Sequence, residues 1–162
     1  MKTFFLTSSL LLSATLALAA PEAGFTSLFD GKSLNGWKQV DKHGEGYGVK
    51  DGVIFCARGG GGRLFTEKEY SDFIVKFEFK LEDGSNNGLG IRSPLEGDPA
   101  YVAIELQILD DTSPKYAGKL RPAQYHGSLY DVVPAERGAL KKVGEWNEEE
   151  VTCKGRNIKV VL

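Results

Sequence analysis

The chain is poor in the residues that build metal and redox sites. It has two cysteines and two histidines in 162 residues. There is no Cys-x-x-Cys pair and no His-x-x-x-His pair, so the spacings that hold zinc are missing. Cys56 and Cys153 allow one disulfide in an oxidising compartment, or two separate small core residues; spacing alone does not choose. A basic block is also missing. Lys and Arg total 20 against 22 Asp and Glu, a net charge of −2. Phosphate neutralisation needs clustered cations, so nucleic acid is excluded as a partner class. Helical periodicity is almost absent, and only Thr66 to Tyr70 reads as a helical turn.

Long apolar runs are confined to one place. Lys2 precedes Phe4 to Leu18, broken only by Ser and Thr, and Ala17-Leu18-Ala19 follows as a small-x-small site. This is the pattern of a secretory signal peptide over residues 1–20. The mature chain, residues 21–162, is then exported, periplasmic or secreted, with no membrane span after signal removal. Its length of about 140 residues suits one domain with a sizeable core. The chain stops at Leu162 inside an apolar run, which suggests that further strands follow in the complete protein.

What is present is strand after strand, punctuated by Gly, Asn and Asp. Phe25 to Phe29 reads as a short strand. Val49 to Cys56 reads as a hairpin over Asp51-Gly52. Asp72 to Glu82 alternates cleanly: Phe73, Val75, Phe77, Phe79 and Leu81 on one face, charged residues on the other. Gly88 to Arg92 is a strand with Leu89 and Ile91 inward. Glu149 to Cys153 and Ile158 to Leu162 flank a turn at Lys154 to Asn157. Short strands and glycine-rich connections predict an all-β fold, an antiparallel sandwich or jelly roll. The run Gly59 to Gly62 lacks the Lys-Ser or Lys-Thr and the following helix of a phosphate loop, so close backbone approach explains it better.

Tyr101 to Leu109 is the strand that carries chemistry. Val102, Ile104, Leu106 and Ile108 form an aliphatic face; Tyr101, Ala103, Glu105 and Gln107 form the other. Glu105 and Gln107 then stand roughly 6.5–7 Å apart on one face. That face looks at water or at a ligand, because a buried unpaired carboxylate is costly. The neighbouring strand offers Gly88, Gly90 and Arg92, room beside a cation suited to oxygen-rich groups. Tyr101, Tyr116, Tyr125 and Tyr130 supply ring faces for sugars. Asp110 joins the polar face only if the strand ends or bulges at Leu109. His126 is flanked by small and polar residues, unlike a core histidine, and can act as a base near neutral pH. His43 reads as a surface loop residue. Trp37 and Trp146 read as core residues beside turns.

These pieces together resemble the 3-keto-disaccharide hydrolase family. The matching segments are Ser27 to Trp37, Val49 to Val53, Leu64 to Tyr70, Asn87 to Arg92, Glu105 to Asp110, Gln124 to Ser128 and Gly144 to Asn147. The resemblance implies a concanavalin-like jelly roll of two antiparallel sheets, export, and action on oxidised sugars. Glu105-x-Gln107-x-x-Asp110 is similar in layout to the Glu-x-Asp-x-x-Glu strand of retaining glucanases on the same fold. An amide at its centre argues against ordinary retaining hydrolysis, which needs two carboxylates about 5–5.5 Å apart.

A 3-keto sugar permits another route: proton removal beside the ketone, loss of the aglycone, then hydration. On that route Arg92 stabilises the enolate oxygen or ketone, Glu105 or His126 is the base, and Asp110 orients Arg92 or His126. Gln107, Tyr130, Tyr101, Asn87 and Lys115 are the substrate-binding candidates. No cofactor is expected; the Asp110-Asp111 turn is compatible with a structural calcium ion and equally with a plain turn. A lectin-like binding module and a structural adhesion domain are the competing classes.

Overall fold

The computed structural model describes residues 21–162. The expected signal peptide lies outside the described residues. The chain divides into two compact units at Glu69/Tyr70.

The first unit holds two antiparallel pairs. β1 (Trp37–His43) pairs with β4 (Gly61–Thr66), and β2 (Tyr47–Lys50) forms a hairpin with β3 (Val53–Cys56). Asp51 and Gly52 both have positive φ, 51° and 79°, the left-handed pair a tight two-residue hairpin requires. Gln39 clamps the hairpin to β1, with Nε2 donating to the Tyr47 carbonyl and Oε1 accepting its amide at 2.9 and 3.1 Å. The glycine run works by close approach: a Cβ on Gly60 would stand 2.8 Å from the Gly46 amide, and one on Gly62 2.8 Å from the Val40 carbonyl. Phe25 to Phe29 is irregular rather than a strand. Ser27 donates through Oγ to the Phe29 carbonyl, and the Asp30 carboxylate takes the amides of Lys32 and Ser33. Such side-chain bonds compete with ladder pairing. Thr66 ends β4, so the expected helical turn at 66–70 does not form.

The second unit contains the rest of the fold. β5 (Phe73–Lys80), β8 (Trp146–Lys154) and β9 (Asn157–Val161) make a three-stranded antiparallel sheet in the order β5-β8-β9. β6 (Asn86–Ile91) and β7 (Ile104–Leu109) make an antiparallel hairpin. Phe73, Val75, Phe77 and Phe79 alternate with exposed residues along β5, as their spacing requires. On β8 the same face carries Asn147, Glu149, Val151 and Cys153, all buried. Phe77 and Phe79 sit 6.0 Å apart at a tilt of 42°, a geometry that adds about 0.5–1.5 kcal/mol to burial. Leu81, Ile91, Leu106 and Leu109 complete the buried apolar set.

The all-β class is what the structure shows. Among the described residues every strand pair is antiparallel, and helix is limited to α1 (Pro99–Val102) and a 3-10 turn at Pro122–Gln124. α1 corrects the expected strand start at Tyr101. Asp98 caps it, its carboxylate accepting the Ala100 amide at 3.1 Å, with Pro99 next; Asp then Pro opens a helix well. Cys56 is exposed in the first unit and Cys153 buried in the second, each as a free thiol. Trp146 is 39 % exposed under the Lys80 ammonium, so it is a surface ring rather than the expected core residue.

Candidate active site

β7 is bonded on both edges. On one side Gly90 faces Glu105 and Gly88 faces Gln107 in the β6 register. On the other side residues 127–130 run alongside as a third strand in all but length. Gly127 donates to the Gln107 carbonyl at 2.9 Å, Gln107 to that of Ser128 at 3.0 Å, and Tyr130 to that of Glu105 at 2.9 Å. Leu106 and Leu129 are direct partners. Residues opposite one another share a face. Glu105 and Gln107 therefore share one with Gly88, Gly90, Ser128 and Tyr130, while Leu106, Leu89 and Leu129 hold the other.

The glycines leave space that Glu105 fills. A Cβ on Gly88 would stand 2.6 Å from Glu105 Cγ and 2.7 Å from Cδ. The Glu105 carboxyl lies over this floor, partly buried. Burial, with the Asp98 charge adding to it, raises its pKa above the ordinary carboxylate value. Gln107 is only 4 % exposed and its Oε1 is buried without a partner. The expected half-buried strand is thus covered on both faces, a correction at Gln107. Tyr130 accepts from Gln124 Nε2 at 3.2 Å, which fixes its hydroxyl beside this strip.

His126 is buried, contrary to the surface setting its neighbours suggested. Its Nδ1 accepts the Leu109 amide at 3.3 Å, and its ring lies 5.2 Å from that of Phe79. Desolvation lowers its pKa, partly offset by the Asp111 carboxylate.

The other five candidates sit elsewhere. Arg92 leaves the strand with φ at 53°. Its guanidinium donates to the carbonyls of Gly155 at 2.5 Å and Ser71 at 3.3 Å, with the Asp72 carboxylate at 3.8 Å. These are its bonds, and Glu105, Gln107 and His126 are not among its partners, so in this structure Arg92 straps the strand end to the loop carbonyls. Asp110 is buried, and its carboxylate accepts the Gly84 amide at 2.9 Å and the Thr112 hydroxyl at 2.7 Å. Burial pushes its pKa up, but these bonds and the Thr112 and Ser113 amides outweigh it and hold the carboxyl below its ordinary value. It orients the loop rather than Arg92 or the His126 ring. Lys115 Nζ donates to the Gly84 carbonyl at 3.1 Å in the same turn. Tyr101 is 77 % exposed on α1, and Asn87 Oδ1 accepts its neighbour Gly88's amide at 2.8 Å.

Glu149 was missed by the sequence reading. It is 3 % exposed, both carboxylate oxygens are buried without partners, and desolvation pushes its pKa up to about 7. Its parity with Val151 and Cys153 was the available signal, hidden by the run Glu148-Glu149-Glu150. Among the described residues no three His, Cys, Asp or Glu side chains group as metal ligands.

Comparison with known proteins adds a consistent set of relatives. Residues 24–162 match the model of the 3-keto-alpha-glucoside-1,2-lyase-like domain. A 3-keto-disaccharide hydrolase of Bacteroides thetaiotaomicron is 31 % identical over 160 residues, covering 85 % of this chain. The chain spans 55 % of that relative's length. A crystal structure from Parabacteroides distasonis, described as a candidate glycosyl hydrolase, matches with a TM-score of 0.71 at 27 % identity, over 84 % of this chain and 66 % of that one. A second from the same organism and so described gives 0.60 at 27 % identity, over 76 % and 66 %.

Proposed function

This chain belongs to the 3-keto-alpha-glucoside-1,2-lyase-like domain family, and on that premise we propose that it cleaves the glycosidic bond of 3-keto glycosides or disaccharides as an exported enzyme. The observation that carries the reading is the Glu105 carboxyl: partly buried, raised in pKa, lying over a glycine floor beside Gln107. Such a group is poised nearer neutrality than a surface carboxylate and so suits proton transfer.

The ketone at C3 acidifies the C2 hydrogen. Glu105 takes that proton, and the C2–H electron pair becomes an enolate with its charge on the C3 oxygen. The ketone then re-forms, the pair moves into a C1–C2 double bond, and the aglycone leaves C1 with the glycosidic electrons. A proton returns to the aglycone oxygen. Water adds at C1 of the enone and a proton returns to C2, so the net reaction is hydrolysis. Gln107 and Tyr130, on the same face, bind ring hydroxyls.

The test incubates the full-length protein with a 3-keto glucoside and the matching unoxidised glucoside, following aglycone release. Release from the keto sugar alone is expected, and Glu105→Gln should lower it about 10²- to 10⁴-fold. Release from both substrates would indicate conventional hydrolysis; release from neither, with binding intact, a lectin-like module.

A further inference from the structure

The bonding of His126 determines which role an imidazole can play there. Its Nδ1 accepts a hydrogen bond from the main-chain amide of Leu109 at 3.3 Å. An amide has no lone pair to return, so Nδ1 cannot carry a proton without setting N–H against N–H. A neutral imidazole must then hold its single proton on Nε2. The residue is 5 % exposed, its ring lies against Phe79, and among the described residues the Asp111 carboxylate is the charged group that acts on it. Double protonation there would break the Leu109 bond and strand a charge in an apolar setting.

Neither nitrogen is available as a base. The Nδ1 lone pair is occupied, and Nε2 carries hydrogen. What remains is a fixed N–H donor, and Nε2 is buried with no acceptor. A buried donor left without an acceptor is destabilising, and a bound ligand's oxygen would remove that penalty. The residue lies next to Gly127, whose amide is bonded to the Gln107 carbonyl, so it adjoins the strip that carries Gln107 and Glu105.

We propose that His126 is the neutral Nε2–H donor to the C3 oxygen of the bound 3-keto sugar, stabilising the enolate, and is not the base. This rests on the function proposed above and leaves proton abstraction to Glu105. It also fills the position vacated by Arg92, whose guanidinium is tied to Gly155 and Ser71. A neutral donor suits an enolate: it stabilises the developing charge without surrendering its proton to it.

Two measurements on the full-length protein test the assignment. Nitrogen-15 NMR of the histidines should show His126 protonated on Nε2, unprotonated on Nδ1, and titrating below the ordinary imidazole value of 6.5. An Nδ1–H tautomer, or titration near neutrality, would overturn the proposal whatever the enzyme does. The second probe is 3-keto-1,5-anhydroglucitol labelled with carbon-13 at C3, which has no aglycone to lose. Binding should move its carbonyl signal downfield, and His126→Phe should reverse that movement. His126→Gln, which presents an amide N–H near the Nε2 position, should restore part of it. On a cleavable 3-keto glucoside His126→Phe should cost about 10²- to 10³-fold in kcat, the size expected for one oxyanion donor. His126→Gln should lose less and keep the Glu105 limb of the pH profile. Cleavage that continues while the carbonyl signal ignores position 126 would sink this proposal alone. If no 3-keto sugar binds, both readings fall together. Should His126→Phe not fold, the Gln variant and the NMR measurement still decide.

Discussion

Arg92 turns out of β6 with a left-handed backbone, φ 53°, which costs a non-glycine residue about 1–2 kcal/mol. The turn throws its guanidinium onto the Gly155 and Ser71 carbonyls, linking the end of the hairpin to the β8–β9 turn and the approach to β5. The sequence reading placed Arg92 on the Glu105 face by strand parity, and parity fails where a strand ends in such a residue. The correction has a measurable consequence. Arg92→Leu should destabilise the protein by about 1–2 kcal/mol, for two lost hydrogen bonds, while kcat of the folded fraction stays near that of the parent. Thermal unfolding alongside turnover separates the two; collapse of kcat at unchanged melting temperature would return Arg92 to the chemistry. His126 shows the opposite limit. Its neighbours in sequence are polar, yet it is buried, because its cover comes from Phe79, 47 positions earlier in the chain. No local pattern reports a contact of that kind.

At the level of elements, strands with one wet face were legible and strands covered twice were not. β5 alternates along its length, and its inward set agrees with the pattern read from Phe73, Val75, Phe77 and Phe79. The Asp51-Gly52 hairpin was legible for the same local reason. β7 was read two ways wrong: Tyr101 and Val102 belong to a helical turn, and Gln107 is buried. The Asp98-Pro99 signal for that turn was in the sequence, but the alternating aliphatics outweighed it. The β6–β7 hairpin makes its own prediction. Gly88 has no left-handed φ to protect, so only the Glu105 side chain stands where a Cβ would go. A flexible side chain can move where a backbone cannot. Gly88→Ala should therefore leave the melting temperature within a few degrees of the parent and lower kcat by displacing the carboxylate. A variant that unfolds would mean that the hairpin, and not the Glu105 position, needs the glycine.

At the scale of the whole molecule, the buried ionisable groups make stability depend on pH in opposing directions. Asp110 is depressed in pKa, so the stability it contributes is present above its ordinary value of 3.8 and lost as pH falls through the folded value. His126 is depressed as well; its contribution grows as pH rises toward 6.5. Glu149 acts the other way. Its folded pKa of about 7 lies above the ordinary 4.5, so the folded state binds more protons than the unfolded chain between those values. Stability must fall as pH rises through that window, by about 3 kcal/mol over its full width. Both oxygens lack partners, so nothing in the sheet offsets the charge once it forms. Because His126 and Glu149 work against each other below pH 6.5, a parent profile alone would conceal both. The difference between Glu149→Leu and the parent isolates the carboxylate. Denaturant unfolding at pH 4 should find the two separated only by the packing change. At pH 8 the Leu variant should have gained about 3 kcal/mol relative to that baseline. A difference that does not change with pH would mean that Glu149 ionises in the fold as it does in the unfolded chain, and the buried face of β8 would then hold a donor for it.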